Sequence, residues 1–494
     1  MMGIKNREFK MQSNICLEKL VPEDHFYRVL EGKIDLSFVR DLVQDFYVPY
    51  GRASIDPVVF FKLQLIMLFE GFHSERQLME QAQVNLAFRW YIGYDLDEAI
   101  PDHSSLTRIR ERYGLTTFRR FFEQIVQLCI DAGLVWGAEL YFDGTRVEAN
   151  AAIDSYVRNF EYDLHNHLNI LFPDTPAREL ERPELDMLEE WVTSYQKAVP
   201  HDKRDKYISQ ASYKTSLTDA DATLLRKSSH LGYHTHYVVD GGKKRIILGA
   251  LVTPANIQDN YPMLDFIRWV HFRWQIKPRM AVGDSKYGTT DNIVALFEEN
   301  ILPFTPRANY RSTQKLYPAD MFRYDPEKDI YYCPQDQILK KVGQYKANRS
   351  YVYEGNTKIC LDCPVRSACT TNKRGRRVHR SFFQDDLDRA ESLRQTEAYQ
   401  KAMRKRQVWV EPKFGEAKQW HGLYRFRLRR LWRVNIEALL IASVQNIKQL
   451  LKPRHSRQKP LPPAPSLAFV PPLFAVFFSF FLFDLQKIRM CKVS

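Results

Sequence analysis

The stretch 139-ELYFDGTRVEAN-150 runs apolar residues into a carboxylate, Asp143, and then into Gly-Thr and a charged, helix-like segment. An acid at the end of an apolar strand needs a reason, because burying a carboxylate with nothing positive beside it costs several kcal/mol. Asp-Gly is also a common turn pair. The residues alone therefore leave two readings open, a turn or a metal ligand. A second stretch, 281-AVGDSKYG-288, repeats the pattern, with Asp284 closing another short apolar run.

Working outward, 233-YHTHYVVD-240 and 245-RIILGALV-252 flank Gly241-Gly242 and read as a hairpin. A helix is predicted from about Asp259 to Trp274, followed by short buried strands at 279-RMAVGD-284 and 301-ILPFT-305. With the strand Glu139 to Asp143, this order describes an α/β ribonuclease H-like catalytic core, a mixed five-stranded sheet with helices. The first and fourth strands of such a sheet lie side by side, which would bring Asp143 and Asp284 together across 284 − 143 = 141 positions. Two carboxylates held that closely repel each other unless divalent cations neutralise them, and hard cations such as Mg²⁺ take oxygen ligands.

A third acid is expected from a later helix. Glu411 in 408-VWVEPKFGEAKQW-420 is the leading candidate and Glu416 its rival. Val408, Val410 and Phe414 supply an apolar side, and Lys418 lies two turns further on nearly the same face, where an ammonium could hold a DNA phosphate. Pro412 fits only if Glu411 sits near the first turn of a new helical segment.

The first ~125 residues read as helices. Asp56-Pro57 caps 58-VVFFKLQLIMLFEG-71, Ser74 with Gln77 gives a capping-box pattern to about Gln83, 85-NLAFRWYIG-93 follows, and 104-SSLTRIRERYG-114 exposes Arg108, Arg110 and Arg112. Short helices ending in a basic one fit either a helix-turn-helix DNA-binding module or a plain bundle with a solvated basic face.

The chain has 494 residues, enough for roughly three domains. Its formal charge is 72 − 59 = +13, and Lys373 to Arg454 alone carries 21 − 8 = +13, so the basic character is local and points to an acidic polymer or surface. Within it, 424-YRFRLRRLWRV-434 interleaves Arg425, Arg427, Arg429 and Arg430 with aromatics, as phosphate contact requires; an amphipathic helix with a snorkelling basic face is the alternative. Of seven cysteines, Cys16, Cys129 and Cys491 are isolated. Cys333, Cys360, Cys363 and Cys369 form a Cys-x26-Cys-x2-Cys-x5-Cys set suited to structural Zn²⁺.

No charged-then-apolar leader opens the sequence, which predicts a cytoplasmic protein. The Phe-rich 467-LAFVPPLFAVFFSFFLF-483 is short for a membrane span and interrupted by two prolines, so no membrane partner is expected.

The stretches 50-YGRASIDPVVFFKLQLIMLFEGFHSERQLMEQAQVNLAFRWYIGYD-95, 101-PDHSSLTRIRER-112, 143-DGTRVEANA-151, 253-TPANIQDN-260, 284-DSKYG-288 and 411-EPKFGEAK-418, in this order, resemble a bacterial insertion-sequence transposase of the DDE class over residues ~20 to 450. The resemblance implies phosphoryl transfer on DNA, with two Mg²⁺ (or Mn²⁺) ions held by Asp143, Asp284 and Glu411. It also implies transposon ends and target DNA as partners, a homodimer that brings two ends together, and a place at the bacterial nucleoid. That family often has a Tyr seven and an Arg four residues before the Glu, where this chain has Arg404 and Gln407. Competing readings are a metal-dependent nuclease without strand transfer and a catalytically inactive, domesticated zinc-containing DNA-binding protein.

The domain expectation is then 1–125 helical and DNA-binding; 135–325 catalytic, with a polar, largely helical insertion at 159–228; 326–384 a zinc-ribbon-like insertion; 385–452 the helices bearing the third acid; and 453–494 a Pro-rich linker and apolar tail.

Overall fold

The structure, a computed structural model, describes residues 16–48, 54–152, 156–158, 214–225, 230–307 and 316–452. Most of the 159–228 insertion and the whole Phe-rich tail lie outside them.

Seven helices lead the chain: Leu17–Leu20, Phe26–Lys33, Phe38–Val43, Pro57–Phe69, Glu75–Val84, Leu86–Ile92 and His103–Asp131. Two starts follow the expected caps, at Asp56 and Ser74, and Asn85 and Asp102 cap two more. The Asp56 side chain accepts from Val58 N ahead of Pro57, Ser74 from Gln77 N, Asn85 from Ala87 N and Phe88 N, and Asp102 from Ser104 N. The last helix is far longer than the segment read from the sequence and bends at Gly114, whose φ of +61° only glycine adopts cheaply.

Strands β1 (Glu139–Glu148), β2 (Tyr156–Arg158), β3 (Lys214–Ser216), β4 (Thr223–Leu224), β5 (Leu231–Asp240), β6 (Ile247–Pro254), β7 (Met280–Val282) and β8 (Leu302–Phe304) follow. β2 and β3 pair with each other. The main sheet runs β6-β5-β1-β7-β8, with the two-residue β4 added on β5, so it has six strands rather than five. β5 is antiparallel to β1 and β6, while β1, β7 and β8 run parallel. All ten residues of β5 are buried, as expected of a central strand covered on both faces.

β1 does not end at Asp143. Its parallel pairing with β7 stops at Tyr141↔Val282, but pairing with β5 continues to Glu148↔Gly232. The segment after Asp143 is strand rather than helix because β5 is long enough to hold it. The helix expected from Asp259 starts at Pro262 and runs to Trp274, since Asp259 is occupied by His234 and Lys286.

Between β8 and the last helices, β9 (Arg323–Asp325), β10 (Ile330–Tyr332), β11 (Ile338–Tyr345), β12 (Ser350–Gly355) and β13 (Arg377–Ser381) form a five-stranded antiparallel sheet in the order β13-β12-β11-β10-β9, more than a minimal ribbon. It has a small core of its own around Phe322, Tyr331, Leu339, Tyr353 and Val378. Helices Gln384–Leu393, Glu397–Trp409, Glu411–Trp420 and Leu431–Leu451 return to the main sheet.

The helical region and the main sheet are not separate bodies. One hydrophobic core runs from Tyr27 through Phe61, Phe121, Tyr141 and Val238 to Ile447. The Leu431–Leu451 helix joins them, burying fourteen consecutive residues from Val434 to Ile447. Two of its polar residues grip the edge strand. Asn435 accepts from Val252 N and donates to Val252 O, and Asn446 does the same at Ile247. Eleven residues make about three helical turns, which puts both amides on one face against β6 and satisfies an otherwise open edge.

Candidate active site

Asp143 and Asp284 reach the same level of the sheet because of register. Glu139 lies opposite Met280, an offset of 280 − 139 = 141, the same offset that separates the two aspartates. Both stand two residues past the last parallel pair, Tyr141↔Val282. Asp143 Oδ1 accepts from Gly144 N at 2.9 Å, and Asp284 Oδ1 accepts from Lys286 N at 2.8 Å, which fixes the turn that follows β7.

Glu411 opens the Glu411–Trp420 helix, with Pro412 in its first turn where a missing N–H costs nothing. This is the placement that Pro412 demanded. Its carboxylate, about half-exposed, lies 3.5 Å from Arg406 Nη2, and Arg406 Nη1 stands 3.9 Å from Asp143 Oδ2. Arg406 thus lies between two of the acids, one residue before the position where the resemblance led us to expect an arginine. Its helical face was not legible until the break at Val410 between two helices was known.

Burial pushes the Asp143 carboxyl up to about 6. Arg406 and the Gly144 N–H oppose this, while the charges of Asp284 and Glu411 add to it. Burial also raises the Tyr287 hydroxyl, with the charges of Asp143, Asp259 and Asp284 contributing. At 3.9 Å the nearest cation is too distant for a hydrogen bond to Asp143. A desolvated carboxylate surrounded by like charge and without a close counter-ion is the condition that a divalent cation relieves.

Glu416 is differently placed. Its carboxylate meets Lys448 Nζ at 3.1 Å, Gln445 Nε2 at 3.1 Å and His421 Nε2 at 3.8 Å. Burial works to raise it, but His421, Lys413 and Lys448 outweigh this and hold it well below the usual carboxylate range. It is engaged in packing the last two helices together.

The basic residues separate by environment. Arg108 is exposed, as are Arg425 and Arg429, which hang from the chain just after β1 through Arg425 Nε to Ala149 O (3.3 Å) and Arg429 Nε to Asn150 O (2.8 Å). Lys418 is half-buried, and burial lowers its ammonium. Two expectations need correction. The Arg110 side chain is only 3% exposed and is ion-paired with Glu75, with burial and then Arg427 lowering it to about 10. Arg427 binds the buried Glu437, Nε to Oε1 at 3.0 Å. Arg430 is half-buried, with its backbone N–H on Asp219 Oδ1. Neither Arg110 nor Arg427 presents a free guanidinium to a phosphate. Nor is 424–430 helical. Phe426 N bonds Glu148 O and Glu148 N bonds Tyr424 O, so the segment lies along the end of β1 and a helix begins only at Leu431. Much of the local positive charge is consumed inside the fold, through Lys405–Glu139, Arg427–Glu437, Arg433–Glu111 and Lys448–Glu416.

Cys333, Cys360, Cys363 and Cys369 line one cavity of the small sheet as free thiols. Cys333 Sγ accepts from Gln335 N (3.3 Å) and Gln337 N (3.4 Å). Gly355 and Gly375 pack against Cys360, where a Cβ on either would stand 2.9 Å or 3.2 Å from its sulfur. Burial raises the Cys369 thiol, and the other three cysteines add to it.

Among the described residues, only His234, His236 and Asp259 bring three potential ligand atoms within 4.8 Å of one another. Sequence reading missed this set, although the His-x-His alternation in 233-YHTHYVVD-240 already put both imidazoles on one face of a strand.

A transposase domain (DUF772) matches residues 15–112, and a transposase DDE domain matches residues 332–451. The second takes in the cysteines and Glu411 and stops short of Asp143 and Asp284. No curated protein matches the chain. A cryo-EM structure of a piggyBac transposase synaptic complex with hairpin DNA is similar at a TM-score of 0.34 and 10% identity, over 86% of this chain and 74% of that one. The two domains together define a DNA-acting enzyme that uses divalent metal. The chain is a DNA transposase of the DDE class. Among the described residues no helix is long and apolar enough to cross a membrane.

Proposed function

We propose that Asp143, Asp284 and Glu411 are the three acids of this transposase, on a ribonuclease H-like core, and that together they hold two Mg²⁺ or Mn²⁺ ions against the phosphodiester at a transposon end. The observation that carries this reading is the shared 141-residue offset, which sets both aspartates at one level of a parallel strand pair. The charges of Asp284 and Glu411 acting on Asp143 support it. When bound, such ions supply the positive charge that activates a nucleophile and offsets charge building on the leaving oxygen. The chain's own residues do the rest. Asp143, raised to about 6, would be held in its ionised form by a bound cation. Arg406, standing between Asp143 and Glu411, offsets part of their mutual repulsion. Lys418, Arg425 and Arg429 hold the DNA backbone. Water is the first nucleophile, and the freed 3′-hydroxyl takes its place for transfer into target DNA.

We further assign the four cysteines to a structural Zn²⁺, which suits their lining of one cavity and the two N–H groups aimed at Cys333 Sγ, and which would draw the sulfurs closer together than they stand. Two ends must be held at once, so the acting form is a homodimer at the nucleoid.

Pre-cut transposon ends supplied with Mg²⁺ test the proposal. Joining to target DNA is expected, whereas cutting alone would indicate a nuclease and binding alone an inactive DNA-binding protein. Asp143→Ala and Asp284→Ala should each abolish cutting and joining while DNA binding persists; retained cleavage by either variant removes that residue from the site.

A further inference from the structure

The sheet has a second cluster on the face opposite Asp143. In the β1–β5 register Asp143 faces Tyr237 and Gly144 faces His236, so successive residues of β1 serve opposite faces. His234, two residues from His236, shares the Gly144 side. Asp259 comes in from the loop after β6, its Oδ1 3.1 Å from His234 Nδ1.

Both imidazoles are buried, His236 at 1% exposure and His234 at 8%. Each has one nitrogen engaged and one bare. His236 Nε2 meets Thr253 Oγ1 at 2.8 Å, and His234 Nδ1 meets Ile257 O at 3.1 Å. His236 Nδ1 and His234 Nε2 have no hydrogen-bond partner. His236, fixed through Nε2 with Nδ1 bare beside the Gly144 space, is held as a metal-ligating histidine is, and His234 meets the same set through Nδ1, 3.1 Å from Asp259 Oδ1. The His234–Asp259 ion pair by itself explains neither bare nitrogen.

Gly144 supplies the space. A Cβ on it would stand 3.2 Å from His236 Nδ1 and 3.3 Å from Asp259 Oδ1, so two donor atoms converge on the volume that a side chain would fill. The backbone there is ordinary strand and does not itself require glycine. Lys286 takes the other carboxylate oxygen, Oδ2, and leaves Oδ1 facing the imidazoles.

We propose that His234, His236 and Asp259 bind a divalent transition-metal ion in the space over Gly144, as a site separate from the three carboxylates on the other face. Two imidazole nitrogens and one carboxylate oxygen select ions of the Zn²⁺, Co²⁺ and Mn²⁺ class over Mg²⁺. The site ties β5 and β1 to the 253–261 loop and, through Lys286, to the turn that carries Asp284.

The test uses the full chain, stripped with chelator, loaded with Co²⁺ and desalted, with bound cobalt counted and its absorption spectrum recorded. Gly144→Ala keeps all three ligands but fills the space, and His236→Gln removes one ligand. Each should lose one equivalent of Co²⁺ relative to the parent while keeping any thiolate-to-cobalt band from the cysteines and an unchanged far-UV circular dichroism spectrum. Asp143→Asn should keep that equivalent, which separates this site from the opposite face. Should His236→Gln fail to fold, Gly144→Ala decides alone. Cobalt uptake equal to the parent's in a folded Gly144→Ala overturns the proposal.

Discussion

Replacing Asp143 by Asn should make the metal-free protein more stable, not less. Burial and the charges of Asp284 and Glu411 raise this carboxyl from 3.8 to about 6. At 1.36 kcal/mol per pKa unit, that rise means ionised Asp143 costs the fold up to about 3 kcal/mol at pH well above 6. The sign follows from the direction of the change. Because the folded value lies above the unfolded one, the cost is absent below pH 3.8, grows as pH passes through about 6, and is complete at pH 8. Asn keeps the shape and can still accept from Gly144 N, but it carries no charge to desolvate. Chemical denaturation of the full chain in EDTA should therefore show Asp143→Asn ahead of the parent by about 2–3 kcal/mol at pH 8, with the gap closing toward pH 4. Adding Mg²⁺ should stabilise the parent by about 2.7 kcal/mol at a hundredfold excess over the dissociation constant, and the variant far less. Equal or lower stability of Asp143→Asn at pH 8 in EDTA, or a gap that ignores pH, would refute the claim that this carboxylate is held at a cost for the sake of a cation.

Arg427→Ala should destabilise the protein by about 3–5 kcal/mol, read from urea midpoints, because it leaves Glu437, which is 1% exposed, without its partner. In contrast, Arg425→Ala with Arg429→Ala should leave the midpoint within about 0.5 kcal/mol and flatten the salt dependence of DNA binding measured by fluorescence anisotropy. Glu416→Gln should retain cleavage but lose stability, most clearly near neutral pH, since a carboxylate held low stabilises above its unfolded pKa and loses that contribution only as pH falls through the folded value. Chelation of zinc should expose the small sheet to proteolysis between Cys333 and Cys369, and Cys360→Ser should show the same nicking without chelator.

Local signals were legible wherever a short-range rule governs structure. The caps at Asp56 and Ser74 and the Gly-Gly hairpin follow from neighbouring residues, and the structure has them where those rules put them. Asp143 and Asp284 could be picked out as acids at the ends of apolar runs, where a charge is anomalous, and Glu411 as an acid at the start of a helix that Pro412 demands. What the sequence could not give was the fate of each positive charge. Arg110 and Arg427 look like Arg108, Arg425 and Arg429 in composition, yet Glu75 and Glu437 take up the first two in ion pairs and the others stand in solvent. The same holds for His234, His236 and Asp259, and for Arg406 between its two acids. Local chemistry acts over three or four residues and is written in order along the chain. Charge pairing and ligand convergence act through space, and only the packed fold decides which distant groups meet.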